Sequence, residues 1–271
     1  MIDVKDPAFE KLVSPSAPIE KIASGFQFTE GPVFSRIGYL LFSDIPPKRI
    51  MKWERGKVSV FRENSNGANG LTFDHQGRLL ACEQGRVTRT EKDGKITVMA
   101  EGYSNPNDLV YAIDGSIYFS ELRGRNNPGP SAVHQITRKG QVRVVSSDCE
   151  RPNGVALGPN QQKLYIADSG QKNVRVYDIA PDGALGKGRV FSELKSDEPG
   201  VPDGLKTDEE GNVWVTGPGG VWVFNSAGKH LGTIKPPEIP SNCGWGDGFL
   251  YITARTSVYR VRTKAHGTRT F

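Results

Sequence analysis

The chain has 271 residues, 36% of them hydrophobic, with 32 glycines, 18 prolines and a net charge of +5. That length suits one large domain or two small ones, and so many chain-breaking residues argue for short strands and tight turns rather than a helix bundle. No apolar run approaches the length of a membrane-spanning helix, and the basic residues are scattered among acidic ones without the basic, aromatic-interleaved face that nucleic acid needs.

In chain order, residues 1–18 read as a loosely attached lead-in. They lack the basic and apolar regions of a secretory signal. Cys82, Cys149 and Cys243 lie far apart without metal-type spacing and read as free thiols. Together these features give a cytoplasmic location, or a periplasmic one if the sequence is the mature form of an exported protein. The segment IEKIASG, residues 19–25, reads as a strand with no partner near it in the chain.

One hairpin pattern then recurs: a polar residue, usually followed by Gly, an apolar strand, a turn and a second apolar strand. The copies are EGPVFSRIGYLLFSD, NGLTFDHQGRLLACE, NDLVYAIDGSIYFSE, NGVALGPNQQKLYIAD, DGLKTDEEGNVWVTG and NCGWGDGFLYITA. They recur at intervals of about 40 to 50 residues, long enough for four short strands, the size of a propeller blade. Third and fourth strands follow in the first five copies, for example RIMKWERG and KVSVFRE after the first. The sixth has only SVYRVRT. The spare strand at 19–25 would complete that last blade and close the ring, which removes an open edge. The expectation is an all-β, six-bladed β-propeller forming one domain over residues 19–271.

Because the two strands of each hairpin run antiparallel, the start of the first and the end of the second share one edge of the blade. If the first strands line the axis, Glu30, Asn69, Asn107, Asn153, Asp203 and Asn242 ring one mouth of the central channel. A second ring is Asp44, Glu83, Glu121, Asp168, Gly217 and Ala254. Any single Asn-Gly is ordinary turn chemistry. Six oxygen-bearing residues at one phase of a repeat are harder to dismiss, and Glu30 has no turn role and is costly to bury alone. All-oxygen donors suit a hard cation, Ca²⁺ first, then Mg²⁺ or Mn²⁺. Glu30 and Asp203 would balance its charge.

FTEGPVF, SNPNDLV, ERPNGVAL with LYIADS, VPDGLKTDEEGNVWV, and SNCGWG with LYITA together resemble the gluconolactonase/regucalcin (senescence marker protein) family, in its bacterial gluconolactonase-like branch, over roughly residues 7 to 262. The resemblance implies a six-bladed propeller with one divalent cation in its channel (Ca²⁺ first, with Mg²⁺, Mn²⁺ or Zn²⁺ as alternatives) that hydrolyses sugar lactones or related esters. By the same resemblance Glu30, Asn153 and Asp203 match metal ligands. Asn107 matches a position touching metal or substrate, and Asp203 the general base or nucleophile. Asn105 falls where some members carry a substrate-binding arginine, and Glu121 where bacterial relatives often have aspartate.

The expected partner is a small sugar lactone, with no nucleic acid and no membrane. The cation would polarise the lactone carbonyl while Asp203 takes the proton of the attacking water, with Glu121 in reserve. Asn69, Asn105, Asn107 and Glu121 would contact substrate. The insertion at residues 122–131, with Arg123, Arg125 and Asn126, would form part of a lid. His134 opens a strand beside it. Trp245 would either stack on a sugar ring or pack in the core. Two rival readings share the fold: a phosphotriesterase-like hydrolase using the same site, and a non-catalytic binding propeller whose Asn-Gly pairs are only turns.

Overall fold

The computed structural model describes residues 1–122 and 131–268. The expected lid residues Arg123, Arg125 and Asn126 lie outside the described residues. The described strands form six antiparallel sheets, five of four strands and one of five. Their first strands are Thr29–Ser35, Leu71–Phe73, Pro106–Tyr111, Pro152–Leu157, Leu205–Thr207 and Pro240–Gly246. Each packs against the next, and the sixth against the first. The sheets are therefore blades one to six of a closed propeller, as the repeat spacing predicts.

Burial falls from axis to rim. Pro106–Tyr111 and Pro152–Leu157 are buried at every position, whereas the outermost strand of blade one, Lys57–Arg62, is exposed along most of its length. The apolar cores lie between neighbouring blades: Val110, Tyr118 and Val133 of blade three meet Val155, Leu164 and Ile166 of blade four. Alternating apolar strands can bury both faces only when each sheet is covered on both sides, which the ring provides.

Ring closure follows the sequence expectation. Ile19–Ser24 pairs antiparallel with Ser257–Arg262, with Ile19 opposite Val261 and Ser24 opposite Ser257. The N-terminal strand thus covers an edge that blade six would otherwise expose.

Residues 1–18 are not the loosely attached lead-in that the sequence suggests. Ile2–Val4 adds a fifth strand to blade five, pairing with His230–Ile234. A short 3₁₀ helix follows at Pro7–Lys11, capped by Asp6, whose Oδ1 accepts from Ala8 N at 2.8 Å. It drives Phe9 into a core shared by blades five and six, where Phe9, Leu12 and Val13 pack with Trp214, Leu231 and Leu250. Gly232 makes room for it, since a Cβ there would stand 2.7 Å from the Phe9 ring. Burial of three apolar side chains is what holds the segment down.

Among the described residues no helix is long and apolar enough to cross a membrane. Trp245 packs edge-on against Trp214, with ring centroids 4.8 Å apart, towards the end of its strand remote from Asn242. That is the packing of the core alternative. All three cysteines are free and buried.

Candidate active site

Local strand irregularities aim the site residues. In blades one, three and four the pairing of the first two strands shifts register just after its start: between Glu30 and Val33, Pro106 and Leu109, and Pro152 and Val155. Such bulges turn side chains out of the regular in–out alternation at the mouth positions. In blades two and five the ladder starts only at Leu71 and Leu205, so Asn69 and Asp203 stand just before it.

The glycines after these residues answer to the neighbouring blade rather than to a turn. Gly154 N donates to Asp203 O at 3.1 Å, and a Cβ on Gly154 would lie 2.4 Å from that oxygen. A Cβ on Gly204 would meet Asn242 Cγ at 2.0 Å. At these two junctions the neighbouring blade, by its backbone at Gly154 and by the Asn242 side chain at Gly204, leaves no room for a side chain on the glycine.

Glu30 is buried, and its Oε2 accepts from Gly31 N at 2.7 Å and Asn242 Nδ2 at 3.0 Å. Burial and the nearby Asp108 carboxylate nevertheless push its pKa up to about 7. Asp203 is half-buried, and desolvation, Glu30 and Asp108 raise it well above the usual carboxylate range, with Asn153 and Arg151 opposing the rise. Glu30 and Asp203 belong to blades one and five, so the ring brings into one field two carboxylates that are far apart in sequence.

Asn153 is oriented by its neighbour. Ser169 Oγ gives its one proton to Pro202 O at 2.6 Å, so it can only accept from Asn153 Nδ2, at 3.1 Å. The amide nitrogen therefore faces Ser169 and Oδ1 faces away. Asn153 Oδ1 is buried without a hydrogen-bond partner, and so is Asn69 Oδ1. Asn107 is buried at the same phase of blade three, where its backbone oxygen accepts from Gly70 N at 2.8 Å. Asn105 is half-buried two residues earlier. Asn242 points its amide at Glu30 and Lys206, with Oδ1 accepting from Lys206 Nζ at 3.4 Å and from Cys243 N at 2.8 Å.

The second ring braces the blades. Asp44 Oδ1 accepts from Gln27 N and Phe28 N, Asp168 from Glu150 N and Arg151 N, and Glu121 Oε1 from Ser104 N at 2.7 Å. In each case the carboxylate ties down the segment entering its own blade. Glu121 Oε2 also lies 3.1 Å from His134 Nε2. His134 stacks on Phe119, and its burial outweighs Glu121 and lowers its pKa.

Two charged residues at the axis were not singled out by the sequence: Asp108 and Lys206. Asp108 is buried where four other blades have glycine, and its Oδ2 lies 3.9 Å from Lys206 Nζ. Beyond them, away from the carboxylate mouth, is a cavity of about 180 Å³ that Lys206 and first-strand residues of every blade line. The sixth blade has Cys243 at the glycine phase, a buried thiol pushed up to about 12 and so no nucleophile at neutral pH.

Among the described residues no three His, Cys, Asp or Glu side chains gather as a metal cluster. The mouth instead offers two carboxylates and amide oxygens. Two observations fit a hard cation there: the buried acceptors Asn153 Oδ1 and Asn69 Oδ1 have no donor, and Glu30 and Asp203 sit where their charges oppose each other.

The chain is 30% identical to a gluconolactonase from Zymomonas mobilis, over 96% of this chain and 85% of that one. It is 34% identical to regucalcin from Danio rerio, over 83% and 82% of the two chains. Among solved structures it superposes on a gluconolactonase from Xanthomonas campestris with a TM-score of 0.88 and 28% identity, covering 97% of this chain and 94% of the other. Residues 28–256, which include every mouth residue described above, match the model of the SMP-30/Gluconolactonase/LRE-like region, and the chain belongs to that family.

Proposed function

We propose that the protein is a divalent-metal-dependent lactonase acting on sugar lactones. Glu30, Asn153 and Asp203, with Asn107, would hold one divalent cation, Ca²⁺ first among hard ions. When bound, the ion supplies Lewis-acid polarisation of the lactone carbonyl oxygen. The rest of the chemistry belongs to the chain. Asp203 accepts the proton of the attacking water. Asn153 is held by Ser169 with its oxygen turned away from that hydroxyl. Asn69 has a buried oxygen without a donor, and with Asn107 and Asn105 it would receive substrate hydroxyls. Glu121 spends one oxygen on Ser104 N and the other on His134, so it stands behind Asp203 as proton acceptor.

The observation that carries this reading is the donor-less Asn153 Oδ1 beside two opposed carboxylates in a chain of this family. The kinship with gluconolactonases supports the substrate class. The test joins metal analysis of the purified protein to a pH-drop assay across aldonolactones, with phosphotriesters as the comparison panel. Chelation should abolish turnover, and Asp203→Asn should lower kcat by about 10³-fold with the fold intact. Near-normal turnover by that variant would remove Asp203 from the mechanism.

A further inference from the structure

The proposed function uses two of the three carboxylates described at the axis, Glu30 and Asp203. The third, Asp108, has Oδ1 accepting from Leu109 N at 2.9 Å and Oδ2 3.4 Å from Val155 N. These bonds wedge it between blades three and four, and Oδ2 also faces Lys206 Nζ at 3.9 Å. Lys206 reaches there from blade five. Its Nζ also donates to Leu205 O at 3.0 Å and to Asn242 Oδ1 at 3.4 Å, and Asn242 Nδ2 donates to Glu30 Oε2 at 3.0 Å. A continuous line of contacts thus runs from Asp108 through Lys206 and Asn242 to Glu30.

The charges of this line, with that of Asp203 acting on it through space, have a definite sum. Glu30, Asp203 and Asp108 carry three negative charges when ionised, and Lys206 carries one positive charge. Two negative charges remain uncompensated, which one divalent ion neutralises. Without Lys206 the same space would hold three, the charge of a trivalent ion; without Asp108 it would hold one.

We propose that the Asp108–Lys206 pair is a built-in counter-charge beneath the mouth that sets the valence of the ion bound there, favouring divalent over trivalent cations. Neither residue is a ligand; both are positioning residues acting through Asn242 and through space. The proposal rests on the reading of the mouth as a cation site.

The test is calorimetric titration of Ca²⁺ and La³⁺, ions of similar size and different charge, into chelator-stripped protein. Wild type, Lys206→Met, Asp108→Asn and the double variant are compared, with circular dichroism and elution volume reporting the fold. One unit charge about 10 Å away in a partly buried site corresponds to about ten-fold in relative affinity. Lys206→Met should raise the La³⁺-to-Ca²⁺ preference about ten-fold. Asp108→Asn should lower it by a similar factor and weaken Ca²⁺ itself, and the double variant should return to the wild-type ratio. A structural lesion would weaken both ions in step. A ratio that stays fixed, or moves the same way in both single variants, overturns the proposal. If Lys206→Met fails to fold, the direction of change in Asp108→Asn decides alone. Wild type that takes up neither ion would instead overturn the cation reading itself.

Discussion

Ser169 has a single proton and gives it to Pro202 O, and that choice settles which way the Asn153 amide faces. Glu30 shows the opposite situation, a charge held where it is disfavoured. Its pKa is raised to about 7, against an ordinary value near 4.5, by burial and by Asp108. Between those two pH values the folded chain keeps a proton that the unfolded chain has lost. Stability therefore falls as pH rises through that window, and Asp203, also raised, adds to the fall. In the presence of chelator the Tm should drop between pH 5 and pH 7.5, and saturating Ca²⁺ should flatten the profile, since a bound cation favours the ionised form. His134 and His230, both lowered by burial, act in the opposite sense, so the decisive comparison is with Glu30→Gln: a variant whose profile in chelator matches wild type would show that Glu30 is not electrostatically burdened. Glu30, Asn153 and Asp203 were legible in the sequence because they recur at one phase of the repeat. Asp108 and Lys206 were not. Asp108 stands one position later, where the other copies mostly have glycine, and Lys206 resembles any polar residue of a half-exposed strand.

The N-terminal segment was misread because its signal is short. Phe9, Leu12 and Val13 carry the i, i+3, i+4 spacing of a buried helical face, yet one turn of 3₁₀ helix is too brief for periodicity to stand out. Its burial against blades five and six gives it weight. Phe9→Ala should destabilise the protein by about 3–5 kcal/mol, read as a shift in the denaturant midpoint at constant slope. A loss near zero would mean that the segment only rests on the surface. The bulges that aim Glu30, Asn107 and Asn153 were likewise invisible, since a bulge is a property of pairing rather than of either strand alone.

The closure of the ring was the most readable feature of the whole molecule. A last blade one strand short, and a spare strand at the other end of the chain, have one economical solution, and Ile19–Ser24 adopts it. That strand should share the stability of the blade it completes. Its amides should exchange with solvent as slowly as those of Ser257–Arg262, and exchange at the rate of free coil would show a ring that opens in solution.

The abutting backbones of Gly154 and Asp203 have a further consequence. Where main chain of one blade presses on main chain of the next, the gap between those blades is fixed by the backbone and not by side-chain choice. On the proposed function, new substrate preferences would be written on side chains at the mouth, at positions such as Asn69 and Asn105. A library confined to those positions could explore other lactones while leaving that junction unchanged.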